Sequence, residues 1–135
     1  MGNRYENTNY ERSGMNSTKP IPEINEPEFE AEVLRSEQPV LVDFWAPWSQ
    51  PCRRVGHVLD ELAAEYNRRV KVVKVNVDDN PDLGMWFGIQ SIPTLLWFIK
   101  GDVRAKIVGT ASKKAILAKL EPLTGKDTSL QKDKQ

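Results

Sequence analysis

The segment WAPWSQPC, residues 45–52, places a serine three residues before Cys52, the only cysteine of the chain. A cysteine pair at this spacing and at a helix N-terminus would exchange disulfides, because the free N–H groups favour the attacking thiolate. Ser49 has no comparable acidity and cannot form the S–S bond on which reversible exchange depends. A cycle that uses two thiols of one chain is therefore closed to this protein.

Ser49 and Cys52 each have a plain structural interpretation as well. Serine is among the best N-cap residues, worth about 1 kcal/mol relative to alanine. Cys52 begins an apolar helical stripe, so burial disfavours its thiolate, whereas Arg53, Arg54 and the helix N-terminus favour it. Two interpretations stay open for Cys52: a small inert hydrophobic residue, or a thiol that forms mixed disulfides or a sulfenic acid.

Two further side chains near this segment could titrate. Asp43 is the only charge in the apolar run PVLVDFWA, where an isolated carboxylate would cost several kcal/mol unless it is paired or protonated. His57 is the only histidine, and a Cys-His pair would be an alternative nucleophile. At 100° per residue, His57 lies about 140° around the helix from Cys52. We therefore expect His57 on the solvent face.

The hydrophobic pattern predicts the elements that position these residues. A helix should run from about Gln50 to Asn67 after the buried strand PVLVDFWA, which is typical of the centre of a parallel sheet. The remaining elements are a short strand at 21–25, a short helix in EPEFEAEVLRS, a strand in VKVVKVNVDD, a short helix capped by Asn80, a hairpin around Gly101-Asp102 and a last helix capped by Ser112. From the first buried strand onward, the order is β-α-β-α-β-β-α.

Length and composition restrict the class of protein. A chain of 135 residues has room for one domain with a real core, which we assign to residues 21–124, between polar tails predicted to be disordered at 1–20 and 125–135. Lys+Arg and Asp+Glu are balanced at 19 each, which argues against a nucleic-acid partner. No apolar run is long enough to span a membrane and no signal peptide is recognised, so the expected compartment is the cytoplasm. A single cysteine excludes a thiolate metal cluster, and we expect no metal and no cofactor.

Four segments, VDFWAPWSQPC, KVNVDDNP, FGIQSIPTLLWFIKGD and IVGTASK, together resemble thioredoxin over residues 21–124. The resemblance implies an α/β thioredoxin fold, with a central mixed β-sheet flanked by helices. The site of that family reads Trp-Cys-Gly-Pro-Cys, so Trp48, Pro51 and Cys52 match it. Ser49 and Gln50 depart from it. The cysteine that resolves mixed disulfides is present and the nucleophilic one is absent.

The resemblance also assigns roles to Asp43 and Lys74. In thioredoxins the matching aspartate lies behind the active-site sulfurs and exchanges a proton with the resolving cysteine, and a nearby lysine is its partner. Asp43 would then have a raised pKa and act as a general base toward Cys52. The alternative is that both residues are inherited scaffold, with Lys74 extending its stem toward water.

A substrate groove is the second implication of the resemblance. The Ile92–Pro93 bond matches the family's cis-proline turn, whose preceding residue pairs with an extended substrate peptide. Trp48, Ile92, Pro93 and Gly109 would line this groove, beside Pro51 of the motif. The spacing of Trp45, Trp86 and Trp97 instead indicates core positions.

Three hypotheses for the function follow. In the first, the chain takes part in thiol–disulfide exchange and redox homeostasis with attenuated or monothiol activity at Cys52, and glutathione or a thioredoxin reductase is a partner. In the second, it is a non-catalytic holdase-type chaperone module that binds extended clients in the groove, as the resemblance of Ser-Gln-x-Cys to the site of chaperedoxins suggests. In the third, Ser49 replaces the cysteine of an ordinary thioredoxin as an inactivating change. We expect a monomer.

Overall fold

A computed structural model describes residues 20–124. The predicted tails at 1–20 and 125–135 therefore lie, apart from Pro20, outside the described residues. The elements are α1 (Glu26–Phe29), a π-helical segment (Glu30–Leu34), β1 (Val40–Trp45), α2 (Gln50–Glu65), β2 (Lys71–Asn76), α3 (Pro81–Trp86), β3 (Thr94–Ile99), β4 (Asp102–Val108) and α4 (Lys113–Leu123). From β1 onward, this order is the predicted one.

The sheet is mixed and has the strand order β2-β1-β3-β4. Strand β1 pairs parallel with β2 and antiparallel with β3, and β3 pairs antiparallel with β4. The prediction that β1 is a central strand covered on both faces is confirmed, because its first five residues are all buried. Its buried position is what brings Asp43 into the interior.

Side chains of β1 alternate between two apolar layers, as the two-residue period of a strand requires. Val40, Val42 and Phe44 face the layer built with α1 and α3. Leu41 faces the opposite layer, which contains the buried stripe of α2 and two residues of α4. By the same alternation, Asp43 and Trp45 lie on the α2 side of the sheet.

The region before β1 differs from the prediction in detail. The predicted strand at 21–25 is reduced to one isolated parallel bridge between Glu23 and Lys74. Two backbone hydrogen bonds hold it, from Ile24 N to Lys74 O and from Lys74 N to Pro22 O, each 2.9 Å long. The short helix that follows begins as α1 and continues as the π-helical segment Glu30–Leu34.

Two of the three predicted helix caps are confirmed. The hydroxyl groups of Ser49 and Ser112 accept hydrogen bonds from the backbone N–H groups of Cys52 and Ala115. Asn80 precedes α3 as predicted, but its side chain makes no capping bond. That side chain is buried and bonds to the backbone of Glu26 and Asn76 and to the side chain of Asn25, so it ties two segments together.

The hairpin between β3 and β4 turns one residue earlier than predicted. Its two central residues are Lys100 and Gly101, both with positive φ (50° and 87°), rather than Gly101-Asp102. Positive φ at both positions is the type I′ arrangement that matches strand twist. Gly101 is required here for a second reason, because a Cβ atom would lie 2.9 Å from the carbonyl oxygen of Leu34.

The tryptophan prediction is partly wrong. Trp97 is fully buried and Trp45 is half-buried, but Trp86 is 62% exposed. Helix α3 is only six residues long and buries Leu83 and Gly84, so Trp86 at its last position is left on the surface. In the part of the chain described, no helix is both long and apolar enough to cross a membrane.

Candidate functional site

The site is built where β1 ends and α2 begins. Ser49 has an extended backbone (φ −92°, ψ 114°), and its Oγ accepts a 3.2 Å hydrogen bond from the Cys52 N–H. Ser49 is 4% exposed and Cys52 is 3% exposed. The Ser49 hydroxyl, at the position of the absent thiol, therefore caps the helix. The Cys52 thiol is almost fully buried.

Cys52 starts the buried stripe of α2, as the periodicity predicts. It is followed on the same face by Val55, Leu59 and Leu62. Its thiol is free. Of the two basic neighbours, Arg53 directs Nη2 to the Pro47 carbonyl oxygen at 3.1 Å, which places a guanidinium beside the first turn of the helix.

Asp43 lies on the α2 side of β1 and is 1% exposed. Its Oδ1 is buried without a hydrogen-bond partner. Burial raises the pKa of Asp43 from 3.8 to about 7, the positive charge of Lys74 opposes this rise, and the negative charge of Glu23 adds to it. The carboxyl therefore titrates near neutrality, which is the range that suits a general base.

Lys74 is the cross-strand partner of Asp43 in the β1–β2 register. No ion pair within 4.0 Å joins the two side chains among residues 20–124. The ammonium group instead lies 4.1 Å from the ring centroid of Trp45, in a cation–π arrangement. Lys74 thus acts on Asp43 through space rather than by a direct bond.

A cavity of about 220 Å³, open to the surface, is lined in part by Cys52. Its walls combine residues of β1, β2, α2 and the segment before α1, namely Ile21, Asp43, Trp45, Cys52, Arg53, Gly56, His57, Asp60 and Lys74. His57 is exposed, in agreement with the helical wheel, but it also lines this cavity, which the wheel did not anticipate. Within the described residues, no three His, Cys, Asp or Glu side chains are placed to hold a metal ion.

The predicted groove residues come from three loops and, for Pro51, from the first turn of α2. Trp48 is 68% exposed, Ile92, Pro51 and Gly109 are half-buried, and Pro93 is buried. The Ile92–Pro93 peptide bond is cis. Gly109 has φ 91° and donates its N–H to the Pro93 carbonyl oxygen at 2.8 Å, so two of the loops are tied together.

Sequence reasoning missed Asp78, whose carboxylate accepts the indole N–H of Trp48 at 2.8 Å. Trp48 follows β1 and Asp78 follows β2, and these strands are parallel. The carboxyl ends of parallel strands meet at one edge of a sheet, which is where ligands bind in open α/β sheets. That rule was the signal in the sequence that could have identified Asp78.

Comparisons with known proteins agree with this architecture. The thioredoxin family model matches residues 20–122. The chain is 47% identical over 100 residues to thioredoxin of Synechocystis sp., covering 74% of this chain and 94% of that protein. It is 48% identical over 99 residues to thioredoxin 1 of Nostoc sp. (73% and 92% covered) and 51% identical over 90 residues to thioredoxin of Haemophilus influenzae (67% and 84% covered). With this coverage and the thioredoxin fold described above, the chain belongs to the thioredoxin family.

Proposed function

We propose that this protein binds extended segments of protein substrates and exchanges disulfides through one thiol, that of Cys52. Its thioredoxin relatives support a thiol–disulfide redox function. The observation that carries the proposal is the Ser49 cap, in which the hydroxyl replaces the first thiol and accepts the Cys52 N–H at 3.2 Å. The capped helix presents Cys52 in its first turn, and the nucleophilic thiol is absent.

The chemistry open to one thiol is a half-cycle. The Cys52 thiolate attacks a substrate disulfide, a bond forms between Sγ and one substrate sulfur, and the other substrate sulfur leaves as a thiolate that takes up a proton. Asp43 would accept the proton of the Cys52 thiol, since its carboxyl titrates near neutrality. The mixed disulfide then persists until an external thiol cleaves it.

The groove would hold the substrate during this step. Trp48 offers an exposed apolar surface whose ring is fixed by the bond to Asp78. Ile92 precedes Pro93, and Gly109 is hydrogen-bonded to Pro93. An extended peptide beside this turn can add main-chain hydrogen bonds. Protein substrates and a thioredoxin reductase are the partners that the family suggests.

The test is direct detection of the half-cycle. The purified chain is incubated with a peptide disulfide and its intact mass is measured without reducing agent. We expect a stable adduct of one peptide per chain that is absent from Cys52→Ala. A native chain that gains no peptide mass, while the same chain in denaturant does, would contradict exchange at Cys52.

A second candidate function is binding of extended clients without chemistry. The contrast that favours it is that Trp48 is 68% exposed whereas Cys52 is 3% exposed. This candidate predicts that Cys52→Ala suppresses the aggregation of an unfolded client as well as the unaltered chain does. Loss of that protection in Cys52→Ala would favour exchange over simple binding.

A further inference from the structure

The cavity lined in part by Cys52 is separate from the predicted groove. It measures about 220 Å³, and none of the groove residues Trp48, Ile92, Pro93 and Gly109 lines it. Cys52 itself is only 3% exposed. A molecule of a few atoms can therefore reach the surroundings of this thiol through the cavity, whereas a protein substrate meets an almost covered residue.

Two residues of the cavity wall have a buried polar atom without a partner. Among residues 20–124, Asp43 Oδ1 and Trp45 Nε1 are both buried and make no hydrogen bond. The carboxylate oxygen is an acceptor and the indole N–H is a donor. Buried polar atoms in folded proteins almost always have a partner, and a cavity of this volume has room for several water-sized molecules. The two atoms indicate a small occupant that both donates and accepts hydrogen bonds.

The charges around the cavity favour neither sign of ion. The wall contains five side chains that can carry a charge, namely Asp43, Arg53, His57, Asp60 and Lys74. Two of these are cations and two are carboxyl groups, and the histidine is exposed. Glu23 adds a negative charge from the segment before α1. Because the cations and the carboxyl groups are nearly balanced, the occupant that fits the wall is a neutral one.

We infer that hydrogen peroxide enters this cavity and oxidises Cys52 to a sulfenic acid, so that the chain reduces peroxide at the expense of an external thiol. Hydrogen peroxide is small and neutral, and it donates and accepts hydrogen bonds. Water shares these properties but does not oxidise a thiol. Asp43 accepts the proton of the Cys52 thiol, and Sγ attacks one peroxide oxygen. The O–O bond breaks, and the other oxygen leaves as hydroxide and takes up a proton to become water. The sulfur loses the two electrons that the peroxide gains.

The return of Cys52 needs two molecules of an external thiol. The first attacks the sulfenic sulfur, which releases water and leaves a mixed disulfide. The second attacks the sulfur of the first, which yields the external disulfide and restores the Cys52 thiol. Ser49 cannot resolve the sulfenic acid from within the chain, because it has no thiol. The net reaction converts one peroxide and two thiols into two water molecules and one disulfide.

The experiment compares the native chain with the same chain unfolded in urea at one pH. Each is mixed with hydrogen peroxide and an excess of dimedone, which traps a sulfenic acid, and intact mass gives the labelled fraction over time. The label reports Cys52 because the chain has one cysteine. We expect the native chain to be labelled at least about tenfold faster, since a positioned general base typically contributes about a hundredfold or more.

Gly56 provides the variant that tests entry through the cavity. It lines the cavity, and a Cβ atom built on it meets no atom within 4 Å. Gly56→Leu should occupy the cavity and slow labelling at least about tenfold, since a displaced reactant reacts far more slowly. Arg54→Leu places the same side chain on the exposed face of α2 outside the cavity and should leave the rate unchanged. Gly56→Ala should lie between them, and it keeps the test valid if the leucine variant folds poorly by circular dichroism.

Asp43 provides the variant that tests the proton acceptor. Asp43→Asn keeps the size of the side chain and removes its ability to take a proton, so labelling should slow at least about tenfold. Asp60→Asn removes a carboxylate from an exposed residue of the same wall and should have a much smaller effect. Equal effects of the two substitutions would overturn the role of Asp43 as proton acceptor.

Three results would overturn the peroxide reaction itself. A native chain labelled no faster than the unfolded chain would show that the cavity holds water only. Equal labelling of Gly56→Leu and the unaltered chain would show that peroxide does not enter through the cavity. Glutathione added after oxidation without dimedone should restore the mass of the reduced chain, and failure to restore it would overturn turnover. No disulfide takes part in the labelling, so its outcome is independent of whether Cys52 accepts a peptide disulfide.

Discussion

The Oγ atom of Ser49 accepts the backbone N–H of Cys52 at 3.2 Å, so the residue that replaces a thiol also completes the first turn of α2. Both residues are almost fully buried. The serine therefore has two effects at position 49: it caps the helix, and it removes the nucleophilic thiol. Each can be tested by itself.

The cap should be measurable as stability. Ser49→Ala is expected to lower the free energy of unfolding by about 1 kcal/mol, because one first-turn N–H loses its acceptor. Ser112→Ala is the matched control, since Ser112 caps α4 by the same kind of bond at 3.1 Å. Urea denaturation of both variants checks this. If Ser112→Ala loses stability and Ser49→Ala does not, the Ser49 bond is not a stabilising cap.

Asp43 should make the stability depend on pH. Its pKa is about 7 in the folded chain against an ordinary value of 3.8, so between these values the native state binds more protons than the unfolded state. The free energy of unfolding therefore falls as pH rises through this window, by at most about 4 kcal/mol, and stays low above it. Asp43→Asn should abolish this fall, whereas Asp102→Asn, at an exposed strand start, should keep it. Urea denaturation at pH 4 and pH 8 measures this difference. An unaltered chain that is more stable at pH 8 than at pH 4 would contradict the raised pKa of Asp43.

Lys74 should tune that titration. Its positive charge lowers the pKa of Asp43, against the larger effect of burial. Lys74→Met keeps the length of the side chain and removes the charge, so the pKa of Asp43 should rise further. Carbon-13 NMR of the Asp43 carboxyl as a function of pH measures it. A pKa that falls in Lys74→Met would show that the lysine does not act as a nearby cation.

Trp48 should contribute to client binding and little to folding. It is 68% exposed, so Trp48→Ala should change the free energy of unfolding by no more than about 0.5 kcal/mol. Loss of a tryptophan from a binding surface typically costs about 2 kcal/mol or more, which corresponds to a weakening of peptide affinity of roughly thirtyfold. Trp86→Ala removes an indole of similar exposure outside the predicted groove and is the control. Fluorescence anisotropy of a labelled extended peptide measures the affinity of both variants. Equal losses of affinity in Trp48→Ala and Trp86→Ala would show that the groove is wrongly assigned.

The sequence was sufficient for the fold because its patterns are unambiguous. The apolar run around Asp43 is too uniform for an exposed strand, and the stripe from Cys52 to Leu62 has one helical period. Both elements lie where predicted. The cap at Ser49 was also predictable, since serine before an apolar helical stripe is a local signal that needs no tertiary contact.

Features that depend on tertiary packing were not predictable. Trp86, the last residue of α3, is exposed, and nothing in its own spacing shows this. The local sequence predicts Asn80 as a cap, but its side chain bonds to Glu26, which is 54 residues away. His57 illustrates the same limit at the site, because a helical wheel gives its direction and not the cavity that β1 and β2 form beside it.

Ser49 alone separates this site from a dithiol cycle in the function proposed above. Dithiothreitol-driven reduction of insulin tests it most directly, with the unaltered chain, Ser49→Cys and Ser49→Cys/Cys52→Ala assayed side by side. We expect weak turnover by the unaltered chain, many-fold faster turnover by Ser49→Cys, and loss of that gain in the double variant. A Ser49→Cys chain no faster than the unaltered one would contradict it, because the groove and the Asp43 carboxyl would then not form a working site.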